Sequence, residues 1–222
     1  HRLCGKELIQ YPVELLRKLG IDRTVVVVSP DNQDAIMELL GDSVQYAVQP
    51  SKTGTAGATE CAMNILGGTV EQVLVMGGDS PLVTSDSLQN LIDQHVLGKK
   101  QMSILSGVVK DGMGLGRIER ERGSQQKVIG IVEAVDDSIR SAEPTEVNSG
   151  MYCFQASWLS ENLQNVSNGL GSERYLPDLA AIAAGQGKSV SAFSSGDPVE
   201  VLGINNRVEL AYLEDMQRKR IK

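Results

Sequence analysis

The first candidate for chemistry is an acidic residue, Asp79, that directly follows an apolar run. Residues 73–76 are continuously apolar, and Gly77 and Gly78 separate them from the carboxylate. Such a run, ended by glycines, predicts a buried strand and then a tight turn. Ligands bind at this edge of open α/β sheets, and Mg²⁺ needs only one or two protein carboxylates. Asp79 is therefore a candidate magnesium ligand, and the alternative is a turn aspartate that accepts hydrogen bonds from nearby backbone amides.

A glycine-containing segment, residues 49–62 (QPSKTGTAGATECA), joins a predicted strand to a predicted helix. Free backbone amides at a helix start can hold an anion or the edge of a nucleobase. The segment matches neither the GxxxxGKS/T phosphate loop nor the GxGxxG dinucleotide motif. The alternative interpretation is that Thr55 is an ordinary N-cap residue in a flexible turn.

Further polar residues stand at the ends of predicted strands or at a helix start. Glu133 ends the strand-like segment KVIGIVE, and Asn148 precedes the strand GMYCF, so both could hydrogen-bond a polyol. Either residue alone is more often part of the surface. Asn205 and Asn206 precede an amphipathic helix, where an asparagine N-cap is worth about 1 kcal/mol. The alternative makes Asn205 a second oxygen ligand of the metal.

Other motifs favour neither hydrolase nor dinucleotide chemistry. The sequence contains no HExxH, no GxSxG and no Cys/His pairing, and we expect His95 to be a solvated helix residue. The glycine-rich stretch GMGLGR, residues 112–117, lies between two strand-like segments and opens no helix, which predicts a hairpin. Reactions that need a histidine base are therefore disfavoured.

The elements that must position these residues alternate between strand and helix up to about residue 100. Strands are predicted at 24–29, 44–49 and 72–76, and helices follow them at about 31–40, 55–66 and 84–96. This alternation favours a parallel sheet with right-handed crossovers. Beyond residue 100, four strand-like segments predict antiparallel or mixed additions, with helices at about 156–164, 173–184 and 206–219. The expected fold class is α/β, with a mixed, mostly parallel sheet flanked by helices.

Composition restricts the class of protein further. The chain has 222 residues and a formal net charge of −7, so we expect no attraction to nucleic acid or to anionic membranes. Its three cysteines, Cys4, Cys61 and Cys153, are scattered, which fits a reducing cytosol better than a disulfide framework or a zinc cluster. No apolar run approaches the roughly 18 residues of a membrane span. The expected location is the cytoplasm.

Taken in order, the motifs resemble the uridyltransferase (pyrophosphorylase) domain of the bifunctional N-acetylglucosamine-1-phosphate uridyltransferase family. The segments that carry the resemblance span essentially the whole chain: LCGKELIQYPVE, QPSKTGTAGA, VLVMGGDSPLV, GLGRI, GIVEAVD, EVNSGMYCF, SERYLPDL and EVLGINNRVELAYLE. The resemblance implies a Rossmann-like nucleotide-diphospho-sugar transferase fold. The family's reaction joins UTP to N-acetylglucosamine 1-phosphate, releases pyrophosphate, and makes UDP-N-acetylglucosamine for peptidoglycan and other surface glycans.

The resemblance also implies roles for individual residues. Those expected to meet the nucleotide are Gln49, Gly54, Thr55 and Gly78. Those expected to meet the amino sugar are Gly116, Glu133 and Asn148. Asp79 and Asn205 would hold Mg²⁺ and act as the catalytic residues. Because the attacking phosphate oxygen is already anionic, such a reaction needs alignment and charge neutralisation rather than a general base.

The sequence departs from the family pattern at several places. The family's phosphate loop, L-x-x-G-x-G-T-x-M, and the Pro-Lys after it would lie upstream of HRLCGK, so we expect the first strand and the triphosphate cradle to be missing. Val135 stands in place of a usual lysine, Gly77 of a tyrosine, Gly57 of a histidine and Pro177 of a threonine. Losing a cation near the phosphates removes several kcal/mol of electrostatic stabilisation. The hexapeptide repeats of the family's acetyltransferase domain are not seen, and acetyl transfer is not predicted.

We therefore expect a single nucleotidyltransferase domain over residues 1–222. Its nucleotide-binding part would end at about residue 100, its sugar-binding part would cover about 101–205, and a C-terminal helix would cover about 206–222. Two alternatives stay open, namely a related enzyme that uses another sugar or nucleotide, and a nucleotide-sugar binding module that has lost catalysis. The sequence also leaves room for an oligomer.

Overall fold

The secondary structure follows the predicted order closely. A computed structural model describes residues 1–110, 114–124, 126–133, 144–167 and 173–221. Its helices are α1 (Gln10–Lys18), α2 (Gln33–Leu40), α3 (Gly54–Leu66), α4 (Ser85–Leu97), α5 (Ala156–Asn162), α6 (Asp178–Gly185) and α7 (Arg207–Ile221). Its strands are β1 (Arg2–Leu3), β2 (Lys6–Glu7), β3 (Val25–Val28), β4 (Gln45–Val48), β5 (Gln72–Val75), β6 (Met102–Val109), β7 (Arg117–Arg120), β8 (Val128–Val132), β9 (Thr145–Gln155) and β10 (Val190–Ser194).

The main sheet has six strands, in the order β10-β6-β9-β7-β8, with β5 also paired to β9. Strand β9 is antiparallel to β6 on one side, and on the other side it is antiparallel to both β5 and β7. Strand β10 is parallel to β6, and β3 and β4 form a separate parallel pair. The predicted α/β class with a mixed sheet and flanking helices is confirmed. The sheet was predicted to be mostly parallel, but most strand pairs among the described residues are antiparallel.

Two local predictions differ from the observed chain path. Strands β6 and β7 do not form a hairpin, because β9 lies between them in the sheet; residues 112 and 113 of the glycine-rich stretch lie outside the described residues. Helix α6 begins at Asp178 rather than at about residue 173. The residues before it pair instead with the start of α3, where Arg174 N donates to Thr53 O at 2.9 Å.

The core has apolar clusters on both faces of the main sheet. On one face, Phe154 of β9 packs with Leu159 and Leu179, which belong to helices α5 and α6. On the other face, Met151 of the same strand packs with Leu88 of α4. Successive side chains of a strand point to opposite faces, so β9 contributes to both clusters. Each helix of the described part of the chain is too short to span a lipid bilayer.

Strands β3 and β5 each have one strand partner among the described residues. Strand β3 pairs with β4 and β5 pairs with β9, and residues from both strands line the same cavity of about 1010 Å³. Val73 of β5 is buried, whereas Leu74 and Val75 are only half-buried. The strand predicted as fully buried therefore borders an open space on one side.

The prediction that His95 is a solvated helix residue is wrong, because its side chain is only 1% exposed. Its Nδ1 lies 2.8 Å from Ser103 Oγ of β6, and its Nε2 lies 2.8 Å from Gln72 Oε1 of β5. An amide oxygen can only accept, so Nε2 carries the proton and the Ser103 hydroxyl donates to Nδ1. The imidazole thus connects α4 to the strand before it and to the strand after it in the chain.

Acidification is expected to destabilise the fold through this histidine. Burial lowers the pKa of His95 from 6.5 to about 4, so the folded state resists a proton that the unfolded chain accepts. Stability contributed by the neutral ring is complete above the unfolded pKa and is lost as the pH falls from there towards the folded pKa, by up to roughly 3 kcal/mol. Urea unfolding at about pH 7.5 and about pH 5 measures the loss. His95→Asn should be less stable at the higher pH but less sensitive to acid, and an unchanged sensitivity would contradict this account.

Candidate functional site

The cavity beside β3 and β5 brings together most of the predicted site residues. Seven of the nine line it: Thr55, Gly78, Asp79, Gly116, Glu133, Asn148 and Asn205. The two others are adjacent to the start of α3, where Gln49 Nε2 donates to Thr53 Oγ1 at 3.0 Å and to Gly54 O at 3.1 Å. Residues that are distant in the sequence therefore meet at one place.

The Asp79 carboxylate lies between two glycine positions. A Cβ atom on Gly77 would lie 2.3 Å from Asp79 Oδ1, so this arrangement requires glycine there. A Cβ atom on Gly203 would lie 3.4 Å from Asp79 Oδ2, and Ile204 N donates to Asp79 O at 3.0 Å. Asp79 is thus fixed against the segment that leads into α7. The departure from the family's tyrosine at Gly77 gives the carboxylate room to take this position.

The two asparagines before α7 have different roles. Asn206 Oδ1 accepts from Val208 N at 3.0 Å and from Glu209 N at 2.9 Å, while Glu209 Oε2 accepts from Asn205 N at 2.6 Å. Asn206 is therefore the N-cap residue of α7, and Glu209 satisfies the backbone amide of the residue before it. The side-chain amide of Asn205 takes no part in the cap, lines the cavity and is exposed.

The oxygen atoms at this end of the cavity suit a hard cation. Asp79 offers a half-buried carboxylate and Asn205 an amide oxygen, and Mg²⁺ prefers oxygen ligands, few of which need to be protein carboxylates. Within the described ranges, no group of three or more His, Cys, Asp or Glu side chains could hold a metal ion. The chemistry of the donor set fits the predicted magnesium site.

A second group of polar residues lies on β9 and next to the ends of β7 and β8. Asn148 is buried; its backbone N donates to Gly116 O at 2.8 Å, and its Nδ2 donates to the Tyr152 hydroxyl at 2.7 Å. A Cβ atom on Gly116 would lie 3.2 Å from Glu133 Oε2, so glycine leaves space for this carboxylate. Partial burial, and then the charge of Asp178, raise the pKa of Glu133. Glu133 and Asn148 together present acceptors and a donor to the cavity.

The start of α3 is tied to the segment before α6. Ala56 N donates to Arg174 O at 3.0 Å, and Thr55 Oγ1 accepts from Leu176 N at 2.9 Å. Thr55 is therefore not the N-cap residue of α3, which is Thr53. One of the predicted free amides at this helix start already has a protein acceptor.

Several residues near the site were not predicted from the sequence. Tyr152 and Tyr175 line the cavity, and Arg174 Nη2 forms an ion pair with Glu60 Oε2 at 2.5 Å. For Tyr152 a signal existed, because Asn148 and Tyr152 are four residues apart and an even spacing places both on one face of a strand. The partners Arg174 and Glu60 carry no such signal, since they come from separate elements. Val135 lies outside the described residues.

Gly54 is expected to tolerate no larger residue. Its φ is +81°, and a Cβ atom there would lie 2.3 Å from Arg174 O, a backbone atom that cannot rotate away. Gly54→Ala should lower the free energy of unfolding by more than about 2 kcal/mol, because steric conflict adds to left-handed strain. Gly67→Ala is the matched control, since Gly67 has a φ of +64° and no atom within 4 Å of its Cβ position. Equal losses in urea unfolding would show that the contact with Arg174 is unimportant.

Comparison with known proteins relates the whole chain to part of longer curated proteins. The bifunctional protein GlmU of Exiguobacterium sibiricum is 37% identical over 221 residues, which are 99% of this chain and 49% of that protein. The bifunctional protein GlmU of Bacillus subtilis is 34% identical over 223 residues, covering 100% of this chain and 48% of that protein. The chain thus spans about half the length of the curated relatives it matches.

The fold comparison and the family model complete the assignment. A crystal structure of apo UDP-glucose pyrophosphorylase is similar to this chain with a TM-score of 0.75 at 14% identity, covering 100% of this chain and 90% of that one. At that identity the likeness supports the fold alone. The family model described as nucleotidyl transferase matches residues 2–197. Since this match covers most of the sequence, the chain belongs to the nucleotidyl transferase family.

Proposed function

We propose that this chain carries the site that makes UDP-N-acetylglucosamine and pyrophosphate from UTP and N-acetylglucosamine 1-phosphate, with Mg²⁺ as cofactor. The observation that supports it most is the meeting of the predicted nucleotide, sugar and metal residues in one cavity. The similarity to proteins named bifunctional protein GlmU, at 34% to 37% identity over essentially the whole chain, supports the same reaction.

On the nucleotide side, the side-chain amide of Gln49 is oriented so that it could hydrogen-bond a pyrimidine base. Its Nε2 group donates to Thr53 Oγ1 and to Gly54 O, so the orientation of the amide is fixed. The remaining Oε1 atom can only accept, and uracil offers an N–H donor between two carbonyl groups. Gly54 and Thr55 form the adjacent backbone, and Gly78, in the turn after β5, lines the cavity in which the nucleotide would bind.

On the sugar side, Glu133 and Asn148 would orient the amino sugar. A phosphate oxygen of the sugar phosphate then attacks the α-phosphorus of UTP, the bond to the leaving pyrophosphate breaks, and the attacker already carries the negative charge it needs. The residues of this chain contribute alignment, since Glu133 and Asn148 line the same cavity as Asp79 and Asn205. Mg²⁺, when bound, supplies neutralisation of the charge on the phosphate oxygens.

A second candidate is a nucleotide-sugar binding module without turnover. Its support lies in the sequence departures, because valine stands at position 135 where a lysine is usual in the resembling family. A related enzyme for another sugar or nucleotide would use the same cavity. The proposed function and these two alternatives differ in which ligand binds and in whether the ligand reacts. Binding and turnover must therefore be measured separately.

The test is calorimetric titration of the folded chain with UDP-N-acetylglucosamine, UDP-glucose and TDP-glucose, each with and without Mg²⁺. UDP-N-acetylglucosamine should bind most tightly, and Mg²⁺ should strengthen its binding. Asp79→Asn should weaken the Mg²⁺-dependent binding by about tenfold or more, because a ligand oxygen loses its charge. The matched control is Asp93→Asn on the exposed side of α4, which should leave binding unchanged.

Each outcome distinguishes the candidates. If the folded chain binds none of the three ligands, the proposed function is contradicted. If UDP-glucose or TDP-glucose binds best, the site belongs to a different sugar or nucleotide. If UDP-N-acetylglucosamine binds but UTP and N-acetylglucosamine 1-phosphate give no pyrophosphate, the binding module is favoured.

A further inference from the structure

We infer that Tyr152 determines which sugar this site accepts, because its hydroxyl group donates a hydrogen bond to the acetamido carbonyl oxygen of the bound sugar. The inference rests on the proposed function and adds a residue that neither the motifs nor the resemblance indicated. It concerns the part of the cavity that β9 lines.

Tyr152 is held rigidly by its surroundings. Its backbone lies between two strands, opposite Val75 of β5 and opposite Ile104 of β6. The residue is 3% exposed, and its ring centroid lies 5.7 Å from that of Phe154 in the core. The residue lines the cavity together with Asn148, and its hydroxyl group is hydrogen-bonded to that asparagine, so we place the hydroxyl group where a ligand can reach it.

The hydrogen bonds around this hydroxyl have a definite direction. Gly150 N donates to Asn148 Oδ1 at 3.0 Å, which turns the amide so that Asn148 Nδ2 donates to the Tyr152 oxygen at 2.7 Å. The tyrosine oxygen is therefore an acceptor in this contact, and its own hydrogen is left to bond elsewhere. Among the residues that the structure describes, no hydrogen bond from this hydroxyl to a protein acceptor is formed.

The hydroxyl remains protonated when the site is at neutral pH. Burial raises the pKa of Tyr152; the hydrogen bond from Asn148 acts in the opposite direction, and the nearby charge of Glu133 raises the pKa further. The group is thus a neutral donor on the inner wall of the cavity. A buried donor without an acceptor is costly, so binding of a suitable oxygen here is favoured.

The chemistry of the wall favours an amide over a hydroxyl group at this position. A carbonyl oxygen only accepts, so it satisfies the tyrosine hydrogen and needs no further partner. A sugar hydroxyl could accept the same hydrogen bond but would bring another hydrogen that also needs an acceptor. An acetamido sugar therefore matches Tyr152 better than the corresponding sugar with a hydroxyl group.

The experiment compares Tyr152→Phe with the intact chain in titrations with UDP-N-acetylglucosamine and UDP-glucose. The variant keeps the ring and removes the donor, so affinity for UDP-N-acetylglucosamine should fall about three- to tenfold while affinity for UDP-glucose changes less than about twofold. Tyr212→Phe is the matched control, because Tyr212 lies on α7 and is 46% exposed. Urea unfolding establishes that each variant is folded.

The outcomes separate this inference from the proposed function. If the intact chain binds no nucleotide sugar, the proposed function fails. If the intact chain binds UDP-N-acetylglucosamine and Tyr152→Phe binds it equally well, or loses both ligands equally, the specificity role of Tyr152 is overturned. If the variant does not fold, the intact chain is titrated with UDP-glucosamine, which lacks the acetyl carbonyl; affinity equal to that of UDP-N-acetylglucosamine would overturn the inference as well.

Discussion

The pairing of one long strand, β9, with two others along the same edge determines where the site forms. Strand β5 ends opposite Tyr152, and strand β7 begins opposite Val147. Between these two positions the chain leaves β5 into the turn that holds Asp79, and enters β7 just after Gly116. Because both strands pair with the middle of β9, their adjoining loops bring Asp79 and Gly116 to the cavity that Asn148 and Tyr152 also line.

The remaining polar residues of the cavity are positioned by hydrogen bonds between other segments of the chain. A backbone hydrogen bond from Ile204 N to Asp79 O fixes the segment before α7 against the turn after β5. The segment before α6 is fixed against the start of α3 by three hydrogen bonds, two of which involve the backbone of Arg174. Side chains from the first and last parts of the chain are thus held by backbone contacts, which suits a reaction that depends on alignment.

Away from these strand ends, the lining of the cavity is mainly apolar. Apolar side chains of β3 and β5 line it there, together with Met63 and Leu66 of α3. Each of the two strands has a single described strand partner, so backbone groups along the other edges face the cavity. Unpaired strand edges are weak points of a sheet, and this region is where we expect the described fold to open most readily.

Local patterns in the sequence predicted the elements well, but not which elements touch. Periodicity and glycine positions placed β5 and α3 within one or two residues of their observed bounds, because these signals lie within the element itself. The burial of His95 depends on Gln72 and Ser103, and the late start of α6 depends on Thr53 and Ala56 of a distant helix. Such contacts follow from strand order, which no single segment encodes. The resemblance supplied what local patterns lack, namely a common site for residues far apart in the sequence, and seven of the nine predicted residues line one cavity.

The most direct test of the account is a crystal structure of the chain with UDP-N-acetylglucosamine and Mn²⁺, with the ion located by its anomalous scattering. The account predicts one manganese ion bound by the Asp79 carboxylate and the Asn205 amide oxygen, with the sugar against Glu133 and Asn148. A nucleotide sugar bound elsewhere, or a manganese ion beyond coordination distance of Asp79 while the ligand occupies the cavity, would contradict it.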